Sequence, residues 1–311
     1  MTFGAFWPEF ISMKEVQVKK TSLYYYHATW KADLQEYFGD LEIESSRSRD
    51  FQDFANRILL SGAKIKTARN KLMLIKNMRS TYSLMYEVPL APIKIMWPTE
   101  NKSAETAAPE TFTEKEIETM LRACRQDPSP INLTIAIAIC TGMRIGEACG
   151  VRYSDFNFKE KVVAVKRTVG RVESPTGKSE LYVQSPKCKS SIRECPIPDV
   201  LNAVFKSLAN VYPPDAYISS NNSEAFNEPR VFREQYKRFL NRLGIPYRHP
   251  HVMRHTYATM LLQAGTDVRT TASLLGHADA TTTLNVYCHT TIEAKRRAAN
   301  RVFGGKKGFL K

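Results

Sequence analysis

Apolar residues recur with a helical period through the first ninety or so positions of the chain. Phe3, Phe6, Trp7 and Phe10 fall at i, i+3, i+4 and i+7, one face of a helix, although Pro8 inside that stripe should kink or break it. A firmer helix is expected from about Ser22 to Phe38, closed by Gly39, and another around Phe51, Phe54, Ile58 and Leu59. The next, Thr67 to about Tyr86, sets Lys and Arg between apolar residues, as suits a helix that packs on one side and meets phosphate on the other. Taken alone, the aromatic stripe is simply a core.

The pattern then changes. PTENKSAETAAPE, residues 98–110, has no large apolar residue and reads as an exposed linker. Thr113 with Glu116 three positions on forms a capping box that opens a helix. INLTIAIAIC, residues 131–140, is apolar all round and far short of the ~20 residues that span a bilayer, so it reads as a buried helix. VVAVKRTV, ELYVQS and SIRECPIP are partly alternating, β-branched and bounded by Gly, Pro and Ser, which predicts a small antiparallel sheet. Residues 199–248 return to helix with polar insertions.

The closing stretch predicts three short helices. His251 and Arg254 share the face of one, and Thr266 or Asp267 caps a second that ends at Leu275, with Gly276 in the left-handed stop position. Asp279 can cap a third carrying Thr281 to Tyr287. The fold class is therefore a mainly α two-domain protein. It has an all-helical N-terminal domain (1–97), a linker (98–110) and a C-terminal α+β domain (111–311) with a tail at 291–311.

Composition adds a partner class and removes several chemistries. The 311 residues suffice for two cores, and a formal charge of +14 favours a polyanion, without separating DNA from RNA. Six cysteines, at 124, 140, 149, 188, 195 and 288, show neither CxxC pairing nor matching His spacing, so no metal site or disulfide framework is expected. TFGAFWPEF lacks the basic n-region of a signal peptide, and reduced thiols in a cytoplasm are the expectation.

Four motifs carry the chemistry. Thr141, Gly142, Arg144 and Glu147 match TGxRxxE; His251, Met253, Arg254 and His255 match HxLRH with Met for Leu; Leu275, Gly276 and His277 match LGH; and Tyr287 follows. In this order they resemble the tyrosine recombinases, or phage-type integrases. The resemblance implies a site-specific recombinase, integrating or excising by strand exchange through a 3′-phosphotyrosyl intermediate. A type IB topoisomerase-like nicking and resealing enzyme, or a DNA-binding regulator on the same fold, stands as the alternative. A regulator would have no need of Tyr287.

By the same resemblance, Arg144 and Arg254 clamp the scissile phosphate without a metal, each guanidinium offering a planar fork to two oxygens. At pH 7 only about one phenol in 1000 is ionised, which is ~4 kcal/mol the site must supply. His251 is the implied proton acceptor, His277 a donor to the phosphate, Glu147 the support of Arg144 or of a neighbouring group, and Tyr287 the nucleophile. Lys187, on the turn before SIRECPIP, would protonate the departing 5′ oxygen, with Lys189 as the other candidate. Spacing alone does not exclude His255, which the resemblance makes structural; His249 is expected to be exposed. The implied partners are double-stranded DNA, further copies of the chain forming a tetramer in synapsis, and accessory DNA-bending proteins. No cofactor, metal or membrane is implied, and the setting is bacterial, phage or mobile-element. In the tail, Ile292, Ala299, Val302 and Phe303 form a helical stripe interrupted by Lys295, to be buried on its own domain or, as the family implies, in a neighbouring protomer.

Overall fold

Pro8 does not break the first helix. In the computed structural model, which describes residues 1–98, 110–173, 179–185, 192–277 and 279, α1 runs unbroken from Phe3 to Gln17, with the Thr2 hydroxyl accepting from the Ala5 amide. Pro8 lies on the exposed face, while Phe3, Phe6 and Phe10 are fully buried. Three buried phenylalanines at about 2 kcal/mol each outweigh the roughly 3 kcal/mol that an interior proline costs. The helix expected over 22–38 is real but subdivided, into α2 (Lys20–Thr29), a π-helical turn (Trp30–Leu34) and α3 (Gln35–Phe38). The wide turn buries both Trp30 and Leu34, and the Trp30 indole stacks on Trp7 with centroids 4.6 Å apart and planes 7° from parallel. α4 (Ser48–Leu60) brings Phe51 and Phe54 against Phe38. α5 (Ile65–Met85) completes this helical unit, and its expected basic face is only partly free. Lys66 and Arg69 are exposed, whereas Lys71 pairs with Asp33 at 2.7 Å and Arg79 is buried.

The described residues divide between two compact units, 1–98 with 172–173 and 179–180 in one, and 110–171 with those from 181 onward in the other. Most of the stretch expected as a linker, residues 99–109, lies outside the described residues. In the second unit, α6 (Glu114–Gln126) starts on its capping box, the Glu116 amide donating to Thr113 Oγ1 and the Thr113 amide to Glu116 Oε2. α7 (Pro130–Thr141) is buried over nearly its whole length, as its apolar sequence requires. A short helix, α8 (Ile145–Ala148), follows.

VVAVKRTV is two strands rather than one. β2 (Val162–Val165) pairs antiparallel with β1 (Phe156–Asn157) on one side and with β5 (Arg193–Pro196) on the other, while β3 (Thr168–Glu173) pairs with β4 (Ser179–Gln184) in a separate two-stranded sheet. The break falls where Lys166 and Arg167 both turn to the buried carboxylate of Asp155. The register sets Val165 opposite Arg193 and Val163 opposite Cys195. α9 (Asp199–Ala209), α10 (Pro229–Arg242), α11 (His251–Gln263) and α12 (Val268–Leu275) close the described chain. No helix among the described residues is long and apolar enough to cross a membrane.

Candidate active site

α7 stops at Gly142, whose φ of 62° lies in the left-handed region. A Cβ there would come within 2.5 Å of Tyr257 Cδ1 and 3.0 Å of Leu275 Cδ2, so the glycine marks where α7, α11 and α12 meet. Two residues on, Arg144 is the N-cap of α8. Its amide donates to Glu147 Oε2 and its Nη1 to Glu147 Oε1, both at 2.9 Å. The Arg144 side chain stays 43% exposed, while that of Glu147 is 4% exposed. Burial works to raise the Glu147 carboxyl, but the Arg193 guanidinium, together with the Arg144 amide and charge, outweighs it and holds the group below its ordinary value.

Arg254, in the first turn of α11, is 2% exposed. Its Nη1 donates to the Gly142 carbonyl at 2.8 Å and its Nη2 to the Leu275 carbonyl at 2.7 Å. The second contact belongs to a helix end satisfied throughout. Asp267, one of the two expected caps, starts α12 by accepting from the Thr270 amide, and Gly276 at φ 67° ends it. The Gly276 amide donates to the Ser273 carbonyl and the His277 amide to that of Ala272, which are the crossed bonds of a Schellman turn. The last two carbonyls of the helix take guanidinium donors, Leu275 from Arg254 and Leu274 from Arg193 Nε at 2.7 Å. Two cations at a helix C-terminus also meet the negative end of its dipole.

Arg193 was not among the expected site residues. Its side chain is 6% exposed, and Nη2 reaches Glu147 Oε2 at 3.1 Å, on the carboxylate that holds Arg144. Period two along SIRECPIP was the available signal, since Arg193, Cys195 and Ile197 share a face and the latter two are buried. An arginine on the inward face of a strand needs a buried acceptor.

His251 opens α11 and His277 follows the stop of α12, as the motifs require. The rings of His251 and His255 meet edge to face, centroids 4.8 Å apart, so His255 packs beside the site. His249 is exposed as expected, and its Nδ1 accepts from the His251 amide. Partial burial, then the charge of His255, Arg254, His249 and Arg144, depresses the His251 imidazole to about 4 although much of that residue remains exposed. His277 is likewise depressed to about 4, by burial and then by Arg254, Arg144, Arg193 and His251. With both rings depressed to about 4, they are neutral at pH 7 and lie beside Arg144 and Arg193, which share the carboxylate of Glu147, and Arg254, which is held by two backbone carbonyls. Such a cluster suits an anion.

Tyr287, Lys187, Lys189, Cys188, Cys288 and the tail 291–311 lie outside the described residues. Among the described residues no group of His, Cys, Asp and Glu could hold a metal ion, and burial pushes the thiols of Cys124 and Cys140 up to about 12.

Residues 110–293 match the phage integrase family, and the chain belongs to that family. Within it the chain is a tyrosine-type site-specific recombinase. It is 30% identical over 280 residues to a tyrosine recombinase XerC-like protein of Caldanaerobacter subterraneus subsp. tengcongensis, covering 83% of this chain and 71% of that one. It is 26% identical to the transposase from transposon Tn916 of Enterococcus faecalis, over 64% of this chain and 52% of that one. Its fold superposes with a TM-score of 0.76 on the Tn1549 transposon integrase in complex with transposon right-end DNA, at 22% identity over 97% of this chain and all of that one.

Proposed function

We propose that this recombinase exchanges strands of double-stranded DNA at a specific site, and that Arg144, Arg254, His251 and His277 hold the scissile phosphate. The observation that carries this reading is the convergence of those four side chains, with Glu147 behind Arg144, on one patch with surplus positive charge and neutral imidazoles. Arg144 is the open arm of the clamp. Arg254 commits one bond from each Nη to the backbone, which fixes the plane of its guanidinium.

The Tyr287 oxygen attacks phosphorus, His251 accepts the phenol proton, and His277 donates to a non-bridging oxygen. Lys187 gives a proton to the departing 5′ oxygen, with Lys189 the second candidate. The 3′-phosphotyrosyl bond keeps the ester energy, so an incoming 5′ hydroxyl can reverse the step without a cofactor. An entering phosphodiester anion raises the proton affinity of both imidazoles, which makes His251 a better base once substrate is in place. Exchange needs two duplexes and a homotetramer, with the tail 291–311 docked on the neighbouring protomer. The chain's similarity to the Tn916 transposase supports a mobile-element role, for which accessory DNA-bending proteins are the expected helpers. The cytoplasm of a bacterium is the expected setting.

Replacing Tyr287 with Phe tests the nucleophile. On a duplex nicked near the exchange point, wild-type protein should accumulate a denaturation-resistant adduct. The Tyr287→Phe protein should bind with affinity within about twofold and form none, because only the phenolic oxygen is gone. A resistant adduct from that variant rejects the assignment.

A further inference from the structure

Glu147 is shared between two arginines, and the sharing has a direction. Arg144, 43% exposed, takes one carboxylate oxygen through Nη1, while Arg193, 6% exposed, takes the other and is anchored at its Nε by the Leu274 carbonyl. A carboxylate frequently accepts two parallel N–H bonds from a single guanidinium, because the fork geometries match. Arg193 prevents that here by occupying Oε2, which also receives the Arg144 amide. Burying charges this deeply is costly and seldom justified by stability alone.

We infer that Arg193 is a positioning residue for cleavage: by holding one oxygen of Glu147 it keeps the Arg144 guanidinium from being captured in a closed, two-bond ion pair, and so leaves its remaining N–H groups directed at the substrate phosphate. Without Arg193, the buried carboxylate has one cation left to satisfy it, and Arg144 closes onto it. The charge meant for the transition state is then neutralised within the protein. Arg193 also precedes Cys195 on β5 and follows the segment that carries Lys187, so the same side chain fixes the strand to the end of α12 just before His277. The inference rests on the reading that Arg144 meets the scissile phosphate.

This mechanism predicts the sign of an interaction between two substitutions. Arg193→Gln should lower the single-turnover rate of adduct formation about 100-fold at saturating nicked duplex, with half-site affinity within about threefold and a melting temperature that falls but leaves the protein folded at the assay temperature. Glu147→Gln alone should lose about tenfold, because Arg144 is less well aimed. Adding Glu147→Gln to Arg193→Gln should then restore rate, leaving the double variant faster than Arg193→Gln, since no carboxylate remains to capture Arg144. Arg193→Lys, which keeps a cation against Glu147, should stay within about tenfold of wild type.

A double variant as slow as Arg193→Gln or slower overturns the inference, as does equal loss in the Lys and Gln variants. An unfolded Arg193→Gln protein also overturns it, because the side chain would then serve stability alone. Failure of the underlying reading looks different: wild-type protein forms its adduct and Arg144→Lys forms it just as fast.

Discussion

Arg144 and Arg254 match two motifs of one family and carry the same charge, yet the structure treats them as opposites. Arg144 stands at the N-cap of a four-residue helix with nearly half its side chain in solvent, tied to one carboxylate. Arg254 is sealed in α11 at 2% exposure and joins the end of α7 to the end of α12 through two backbone carbonyls. In the clamp we propose, one arginine is a tool and the other is a tool that is also a tie. Loss of the first should cost rate alone; loss of the second should cost rate and structure together.

The largest expected effect is at Arg254. Arg254→Lys leaves a buried carbonyl short of a donor, so adduct formation should fall about 1000-fold or more and stability by about 3 kcal/mol. Rate on nicked duplex and calorimetric melting check both. At Arg144 the same change should cost about 100-fold in rate, with melting little altered because nearly half of that side chain is in solvent and lysine keeps the charge beside Glu147. Equal melting temperatures in the two variants would erase the distinction.

Gly142→Ala sharpens the contrast from the backbone side. A Cβ 2.5 Å from Tyr257 at positive φ should destabilise by roughly 2 kcal/mol and shift the carbonyl that Arg254 uses. Denaturant midpoints measure the first, and a rate loss larger than that of Arg144→Lys would show that the tie matters more than the tool.

The smallest effect is in pH. His251 and His277 are depressed to about 4, below the roughly 6.5 of an unfolded histidine, so protonation favours the unfolded chain. Stability should be fully present above about pH 6.5 and decline as pH falls towards 4. His277→Gln should flatten that decline in melting scans, and an unchanged slope would mean that His277 does not sense the arginines.

Much of this was legible in the sequence. The capping box at Thr113, the buried helix before Gly142 and the stop at Gly276 are local chemistry, and the structure has each where the residues place it. Arg144, His251, Arg254 and His277 were found by motif, and three helix junctions bring them together. What local reasoning missed was long-range. Pro8 passes because aromatic rings farther along the chain, Phe38 against Phe3, Tyr82 against Phe6 and Tyr26 against Phe10, complete one core. The π-turn at Trp30 answers to Trp7, and the interruption at Lys166 answers to Asp155. Arg193 escaped for the same reason, its partners being 46 and 81 positions away.

The acceptors at the end of α12 are carbonyls, and a carbonyl has no residue identity. Mutation at Leu274 changes the side chain and leaves in place the atom that Arg193 uses. Among related chains, position 193 should therefore covary with 147 and show no statistical link to 274, while position 254 should be invariant with no correlated partner at all. A network of this kind is invisible to coevolution on one side, and positions 193 and 254 would be recovered from sequence variation as unrelated to each other although they share a helix end.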